Sequence, residues 1–216
     1  MVSEPSDYYD IAYGVDYEAR QPRRKLEFYL ALVSRHCPGG ALYDVGCAFG
    51  SFAEVAATRY SVHGSDVSAR AVQAARERCP GGAFEIADAN DLTLPPGAYD
   101  AITMLDVLEH LRDPADVLAR VREGLRERGV ALIVVPVYDG PLGWIVDRLD
   151  SDTTHLHRRG RRYWLDLVRS AGLVGREWLG VFRYLPAWGH YIHRPTRALR
   201  SIAPAIAMVA QKGTHT

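Results

Sequence analysis

Two carboxylates flank a glycine-interrupted loop in "ALYDVGCAFGSFAEVAATRYSVHGSD", residues 41–66. Asp44 ends one apolar run, Asp66 ends the next, and Gly46, Ala48 and Gly50 occupy alternate positions just after the first. Small residues in such a loop let the backbone approach a ligand closely. A dinucleotide site would carry GxGxxG and turn a helix N-terminus toward a pyrophosphate. The pattern here is DxGxAxG, in which Asp44 would repel a pyrophosphate but favour an ammonium or a sulfonium. Asp66 is placed to accept hydrogen bonds from ribose hydroxyls. The expected ligand is a nucleoside that carries a cation rather than phosphates, which describes S-adenosylmethionine and disfavours NAD(P).

Elements that could position these groups are legible around them. The runs "GALYDVG", "YSVHGSD", "GAFEIAD", "AYDAITML" and "VALIVVP" alternate with the amphipathic stretches "SFAEVAATR", "SARAVQAARERC" and "DPADVLARVREGLRERG". Such alternation predicts βαβ units and a parallel sheet covered on both faces. Asp113 and Pro114 read as N-cap and first turn of the last of these helices, residues 115–126 carry its apolar stripe, and Gly129 follows its end. Beyond Pro136 the chain is turn-rich over 137–160, a loop expected over the carboxyl ends of the strands. A helix at "RRYWLDLVRSAGL", a strand at "VGREWLGVFRY" and a last strand at "PAIAMVAQK" follow.

The segments "LYDVGCAFGSF", "HGSDVSARAVQAAR" and "ADANDLTLPPGAYDAITMLDVLEHLRDP" resemble the class I S-adenosylmethionine-dependent methyltransferases over residues 40–136. That resemblance implies an α/β fold: a Rossmann-like, doubly wound, mostly parallel seven-stranded sheet with helices on both faces. It implies one methyltransferase domain over 1–216, with 1–38 as an N-terminal lid and 137–160 and 184–204 as insertions capping the substrate side. Asp44, Gly46, Cys47, Ala48 and Gly50 would form the glycine motif, and Asp66 with Val67 would hold the ribose. Asp88 and Ala89 would line the adenine pocket, and Asp106 and Val107 would lie beside the methionine moiety. Ala48 departs from the usual second glycine. In similar methyltransferases the N-terminal segment folds over the cofactor, and Tyr17 and Arg24 are taken as its aromatic and its carboxylate-binding arginine. The spacing of Tyr8, Tyr9, Tyr13 and Tyr17, or of Arg20, Arg23 and Arg24, does not select which faces inward; a helix packed on the sheet edge is the alternative.

Methyl transfer from a sulfonium is an in-line displacement in which the protein holds the acceptor near the methyl carbon and excludes water. An acceptor hydroxyl gains from a base, and histidine suits that near neutral pH. "THLHRRGRRYW" supplies His155 and His157. His155 is preferred, anchored by Leu156, whereas His157 opens a basic, solvated run. His110 is expected to make a structural hydrogen bond. The HxH spacing near Asp139, Asp150 and Asp152 could suggest a metal, but two histidines without a fixed carboxylate spacing do not define one, and no metal is expected.

These residues read as a biosynthetic transferase acting on a small molecule. An O-methylated metabolite, or a sugar- or lipid-linked intermediate, is expected; the alternatives are N-methylation or a catalytically silent adenosylmethionine-binding partner or sensor. Net charge is zero, but residues 1–150 carry 15 Lys and Arg against 23 Asp and Glu, whereas residues 151–216 carry 11 against 3. The basic third suits an anionic acceptor or a peripheral membrane contact, and solvated arginines equally well. Aromatics interleave with Arg194, Arg197 and Arg200 in 184–204, a stretch that reads as an anionic surface, a dimer interface or a plain cap. No RNA-binding module or overall basic charge points to nucleic acid. Three cysteines without CxxC spacing argue for reduced thiols, and the absence of an apolar run or leader pattern for a cytoplasmic protein, monomeric or homodimeric.

Overall fold

The computed structural model describes residues 21–150, 152–184 and 191–213. In chain order the elements are α1 (Arg23–Ser34), β1 (Gly40–Val45), α2 (Ser51–Ala56), β2 (Tyr60–Asp66), α3 (Ala69–Arg78), β3 (Ala83–Ile86) and β4 (Tyr99–Leu105). Then follow α4 (Pro114–Gly124), β5 (Leu125–Pro136), α5 (Gly143–Leu149), α6 (Arg161–Ser170), β6 (Leu173–Tyr184), β7 (Tyr191–Thr196) and β8 (Ala205–Lys212). They build one sheet in the order β3-β2-β1-β4-β5-β8-β6-β7.

The first five strands in that order run parallel, and β8 enters antiparallel between β5 and β6. Residues 130–136 of β5 are buried without interruption, as a central strand covered on both faces requires. One face is closed by α1, α2 and α3 through residues such as Tyr29, Leu32, Phe52 and Val72. The other is closed by α4 and α6 through Val117, Leu118, Val121 and Trp164. The doubly wound α/β architecture is the expected one.

Among the described residues the sheet has eight strands rather than seven. The additional strand β7 lies inside the stretch read as an insertion, and pairs only with β6. Pro195 sits within it; a proline lacks the N–H that a central strand needs but is tolerated at an edge. Two of the three arginines of that stretch pair with side chains of β6 from exposed positions, Arg197 with Glu177 and Arg200 over the Trp178 ring at 4.2 Å.

Two other boundaries move. Asp113 caps α4 as expected, its Oδ1 accepting from the N–H groups of Ala115 and Asp116 at 3.1 Å, but the helix stops at Gly124. Leu125 is instead fully buried and paired with Tyr99, and the turn is completed by Arg128 at φ 65° and Gly129. The 137–160 stretch is not all loop, since it contains α5. The three cysteines are free thiols. Among the described residues no helix is long and apolar enough to cross a membrane.

Candidate functional site

Asp44 and Asp66 end neighbouring parallel strands, with the glycine loop between them. Asp44 is 2% exposed and its Oδ1 accepts the Thr103 hydroxyl of β4 at 2.5 Å. Burial pushes its carboxyl up to about 7, with the Thr103 hydrogen bond opposing and the Asp66 charge adding. Asp66 binds the loop itself: Oδ2 accepts from Ala48 N–H at 2.9 Å and Oδ1 from Ser68 N–H at 3.0 Å. Asp66 therefore shapes the turn, whereas Asp44 is tied to β4 beside it.

The three small residues differ in why they are small. Gly46 has φ 70°, and a Cβ there would fall 2.6 Å from Val107 Cγ2, so the loop presses against the turn after β4. At Gly50, φ 74°, a Cβ would meet the Ala75 Cα of α3 at 2.7 Å; this glycine serves helix packing. Ala48 adopts φ 49° although it has a Cβ. The left-handed region costs an L-residue about 1–2 kcal/mol, and glycine gives back roughly 0.5–1 kcal/mol as chain entropy on unfolding. Ala48→Gly should thus stabilise the protein by up to about 1 kcal/mol, read as a higher urea midpoint at unchanged m-value; a lower midpoint would contradict it.

Lys25, Asp44, Gly46, Ser51, Phe52 and Asp106 line a pocket at the carboxyl end of β1 and β4. Asp106 has φ 60°, donates its N–H to Val134 O at 2.9 Å, and accepts a hydrogen bond from Arg183 of β6. A non-glycine residue held there is a strain that surrounding contacts must maintain. Lys25 is buried, and its ammonium is lowered to about 8 by that burial, with Asp106 opposing and Arg183 adding. Arg24, the expected cofactor arginine, is exposed on α1, so the cation facing the pocket is its neighbour. The signal was available: Lys25 lies four residues before Tyr29 and eight before Val33, on the apolar face of α1. Tyr17 lies outside the described residues.

Of the residues expected along the ribose and adenine, Val67 is 39% exposed just past β2. Ala89 is half-buried, and Asp88 is exposed with its Oδ1 taken up by Asn90 N and Nδ2, both at 2.8 Å. Cys47 turns its buried side chain into the core, its Cβ 3.0 Å from where a Cβ on Gly64 would stand, with its thiol 3.8 Å from Ala48 O.

A second polar cluster follows β4 directly. Leu156 and His157 donate their N–H groups to Glu109 O at 2.9 and 3.0 Å, pinning the 152–157 segment onto the turn. Leu156 itself is 58% exposed, so the anchor is its backbone and not its side chain. His155 Nδ1 lies 2.6 Å from Asp150 Oδ2 and 2.9 Å from Tyr138 OH, and its Nε2 points toward Glu109 and Asp152. Burial alone would raise Asp150, but hydrogen bonds from His155 and Tyr138 outweigh it and hold the carboxyl near 2. His157 is half-buried rather than solvated, its Nε2–H donating to Leu111 O at 2.8 Å; it braces the turn. His110 makes the expected hydrogen bond, Nδ1 to Thr154 Oγ1 at 2.9 Å, and its ring lies tilted against that of His155, centroids 4.6 Å apart. Glu109 is fully buried, and burial with the Asp106 charge holds its carboxyl well above the carboxylate range. Residue type and spacing do not single out Glu109, because an acid beside a helix cap normally faces water.

A methyltransferase-domain family profile matches residues 43–133. The ubiquinone biosynthesis O-methyltransferase of Thiobacillus denitrificans is 37% identical over 87 residues, 38% of this chain and 38% of that protein. Among solved structures, an S-adenosylmethionine-dependent methyltransferase of Thermotoga maritima, described as a possible histamine N-methyltransferase, superposes with a TM-score of 0.74 at 17% identity, covering 97% of this chain and 99% of that one. Geranyl diphosphate methyltransferase in complex with SAM superposes with a TM-score of 0.69 at 18% identity, covering 92% and 91%. These superpositions establish a shared fold. The chain spans about two fifths or less of the length of several curated relatives it matches.

Proposed function

From the premise that this chain belongs to the class I S-adenosylmethionine-dependent methyltransferase family, we propose that it transfers the methyl group of S-adenosylmethionine to an oxygen of a small-molecule acceptor. The observation that carries the reading is the pair of acids on adjacent strand ends around a loop that leaves no room for a Cβ at Gly46. A buried carboxyl next to the loop suits the ammonium and sulfonium of the cofactor, and Lys25 suits its carboxylate. Asp66 would take the ribose hydroxyls, with Val67, Asp88 and Ala89 along the adenine.

Oxygen is favoured over nitrogen by the cluster after β4. A hydroxyl acceptor has a proton to lose, and His155, oriented by Asp150, is the group placed to activate it. Residues 1–216 would then act as one domain, 1–38 closing over the cofactor and 137–160 and 184–204 forming the acceptor side. When bound, the cofactor supplies an already activated methyl group; the protein holds the acceptor in line with the leaving sulfur and keeps water out. The relatives' acceptors differ in kind, so the acceptor is stated here only as a metabolite or a sugar- or lipid-linked intermediate.

Calorimetry with S-adenosylmethionine and its demethylated product should show binding of both, and none of NAD. Asp66→Asn should weaken that binding about tenfold or more, since hydrogen bonds to a charged acceptor contribute about 1.5–3 kcal/mol. Absence of binding by the wild type, or an unchanged affinity in the variant, would remove this assignment.

A further inference from the structure

We propose that Glu109, His110 and His155, joined by Asp152, form a binding site for a divalent transition-metal ion that receives the acceptor oxygen. Only the last clause rests on the methyl-transfer reading; the ion site stands on its own geometry. One donor atom from each of Glu109, His110 and His155 lies within 4.8 Å of the others. His155 Nε2 is 3.9 Å from Glu109 Oε1 and 3.7 Å from Asp152 Oδ2. Ligands at about 2.1 Å around a tetrahedral ion stand about 3.4 Å apart, so His155 needs to close by about 0.3–0.5 Å on Glu109 and Asp152, and the widest separation among the three side chains by about 1.4 Å or less.

Both imidazoles are held through the nitrogen that would not bind the ion. Asp150 accepts from Nδ1–H of His155 and is fixed in turn by the Tyr138 hydroxyl. Thr154 gives its hydroxyl proton to Asp152, so it accepts from His110 Nδ1–H, which leaves the lone pair on Nε2. Outer partners that set the tautomer and aim the ring are the usual support of a histidine metal ligand. Glu109 supplies the independent observation: it is 0% exposed, and neither carboxylate oxygen has a hydrogen-bond partner among the described residues. A charged carboxylate in that position needs a cation, and a protonated one needs an acceptor for its O–H. An ion among the three side chains resolves both.

The donor set of two imidazoles and carboxylates, with no thiolate, suits Mn²⁺, Fe²⁺, Co²⁺ or Zn²⁺; four donors complete a tetrahedral ion, and expansion to five or six ligands admits an acceptor oxygen. With the ion bound, His155 would activate the acceptor as a ligand rather than as the base, and a hydroxyl joining the coordination shell would give up its proton to solvent more readily. Its oxygen then bonds to the methyl carbon as the carbon–sulfur bond breaks, and the electron pair leaves on sulfur as a neutral thioether.

The test is Mn²⁺ binding to the chelator-treated full chain, followed by loss of the free-ion paramagnetic resonance signal, with S-adenosylmethionine calorimetry in parallel. One Mn²⁺ per chain is expected. Glu109→Gln, which keeps the side-chain shape, and His155→Ala should each weaken it by more than about 100-fold, and Asp150→Asn, one shell out, by about 10–100-fold. His36→Gln, at a surface pair with Glu177, should leave it unchanged. No stoichiometric Mn²⁺, or equal affinity in Glu109→Gln and His155→Ala with the fold verified by circular dichroism, overturns the site. Cofactor binding without Mn²⁺ removes the ion site alone; Mn²⁺ without cofactor binding removes the methyl-transfer reading and leaves the ion site standing.

Discussion

His155→Ala is expected to lower single-turnover methyl transfer by about 10²–10⁴-fold while leaving the affinity for S-adenosylmethionine nearly unchanged. The separation follows from the layout. His155 faces Glu109 and Asp152 on the segment docked after β4, whereas the pocket proposed for the cofactor is lined from α1, the glycine loop and the end of β4. Asp150→Asn gives the second measurement. It keeps the volume beside Tyr138 but removes the carboxylate that orients Nδ1, so turnover should fall while the acceptor KM moves less than kcat. A histidine that merely ties the loop down predicts something else: lower stability in both variants, with turnover per folded molecule preserved. Wild-type rates in His155→Ala, with cofactor bound, would end the assignment.

The parts of the molecule that were legible in sequence are those fixed by local pattern. Strand and helix alternation, the Asp113-Pro114 cap and the two acids around a small-residue loop each depend on neighbours in the chain. What was not legible depends on long-range pairing. Arg and Pro in residues 191–196 read as loop, yet the edge of β6 supplies the partner that turns them into a strand. Leu125 carries helix periodicity, but pairing with Tyr99 at the start of β4 draws it into β5. At the site, Arg24 was chosen by type, whereas the helical face buries Lys25. The Glu109 carboxylate was invisible because its meaning comes from His110 and His155, one adjacent and one brought in by a docked segment.

Asp44 ties cofactor affinity to pH, and the sign follows from its burial. The folded, ligand-free carboxyl titrates near 7, above its ordinary 3.8, because burial disfavours the charge and Asp66 adds to it. A cationic ligand prefers the ionised form, so affinity for S-adenosylmethionine should rise by up to about tenfold per pH unit from pH 5 toward pH 7 and level off above. Lys25 and Asp106 share the pocket, and Lys25 begins to lose its proton near 8, so the profile is read below that. In the free protein the same shift acts in the opposite direction. A carboxyl whose folded value is raised favours folding less as pH climbs from about 4 to about 7, by at most about 4 kcal/mol for three units. Asp44→Asn should therefore flatten the affinity profile and weaken binding at pH 7.5 by about 10–100-fold, as expected for losing a charge-assisted contact. It should also make the ligand-free protein more resistant to urea at that pH, since the amide can still accept from Thr103 without a buried charge. The two readouts move in opposite directions, which general damage to the loop cannot produce. A sloped profile retained in Asp44→Asn would assign the proton to another group, and a less stable variant would show that burial of Asp44 does not penalise its charge.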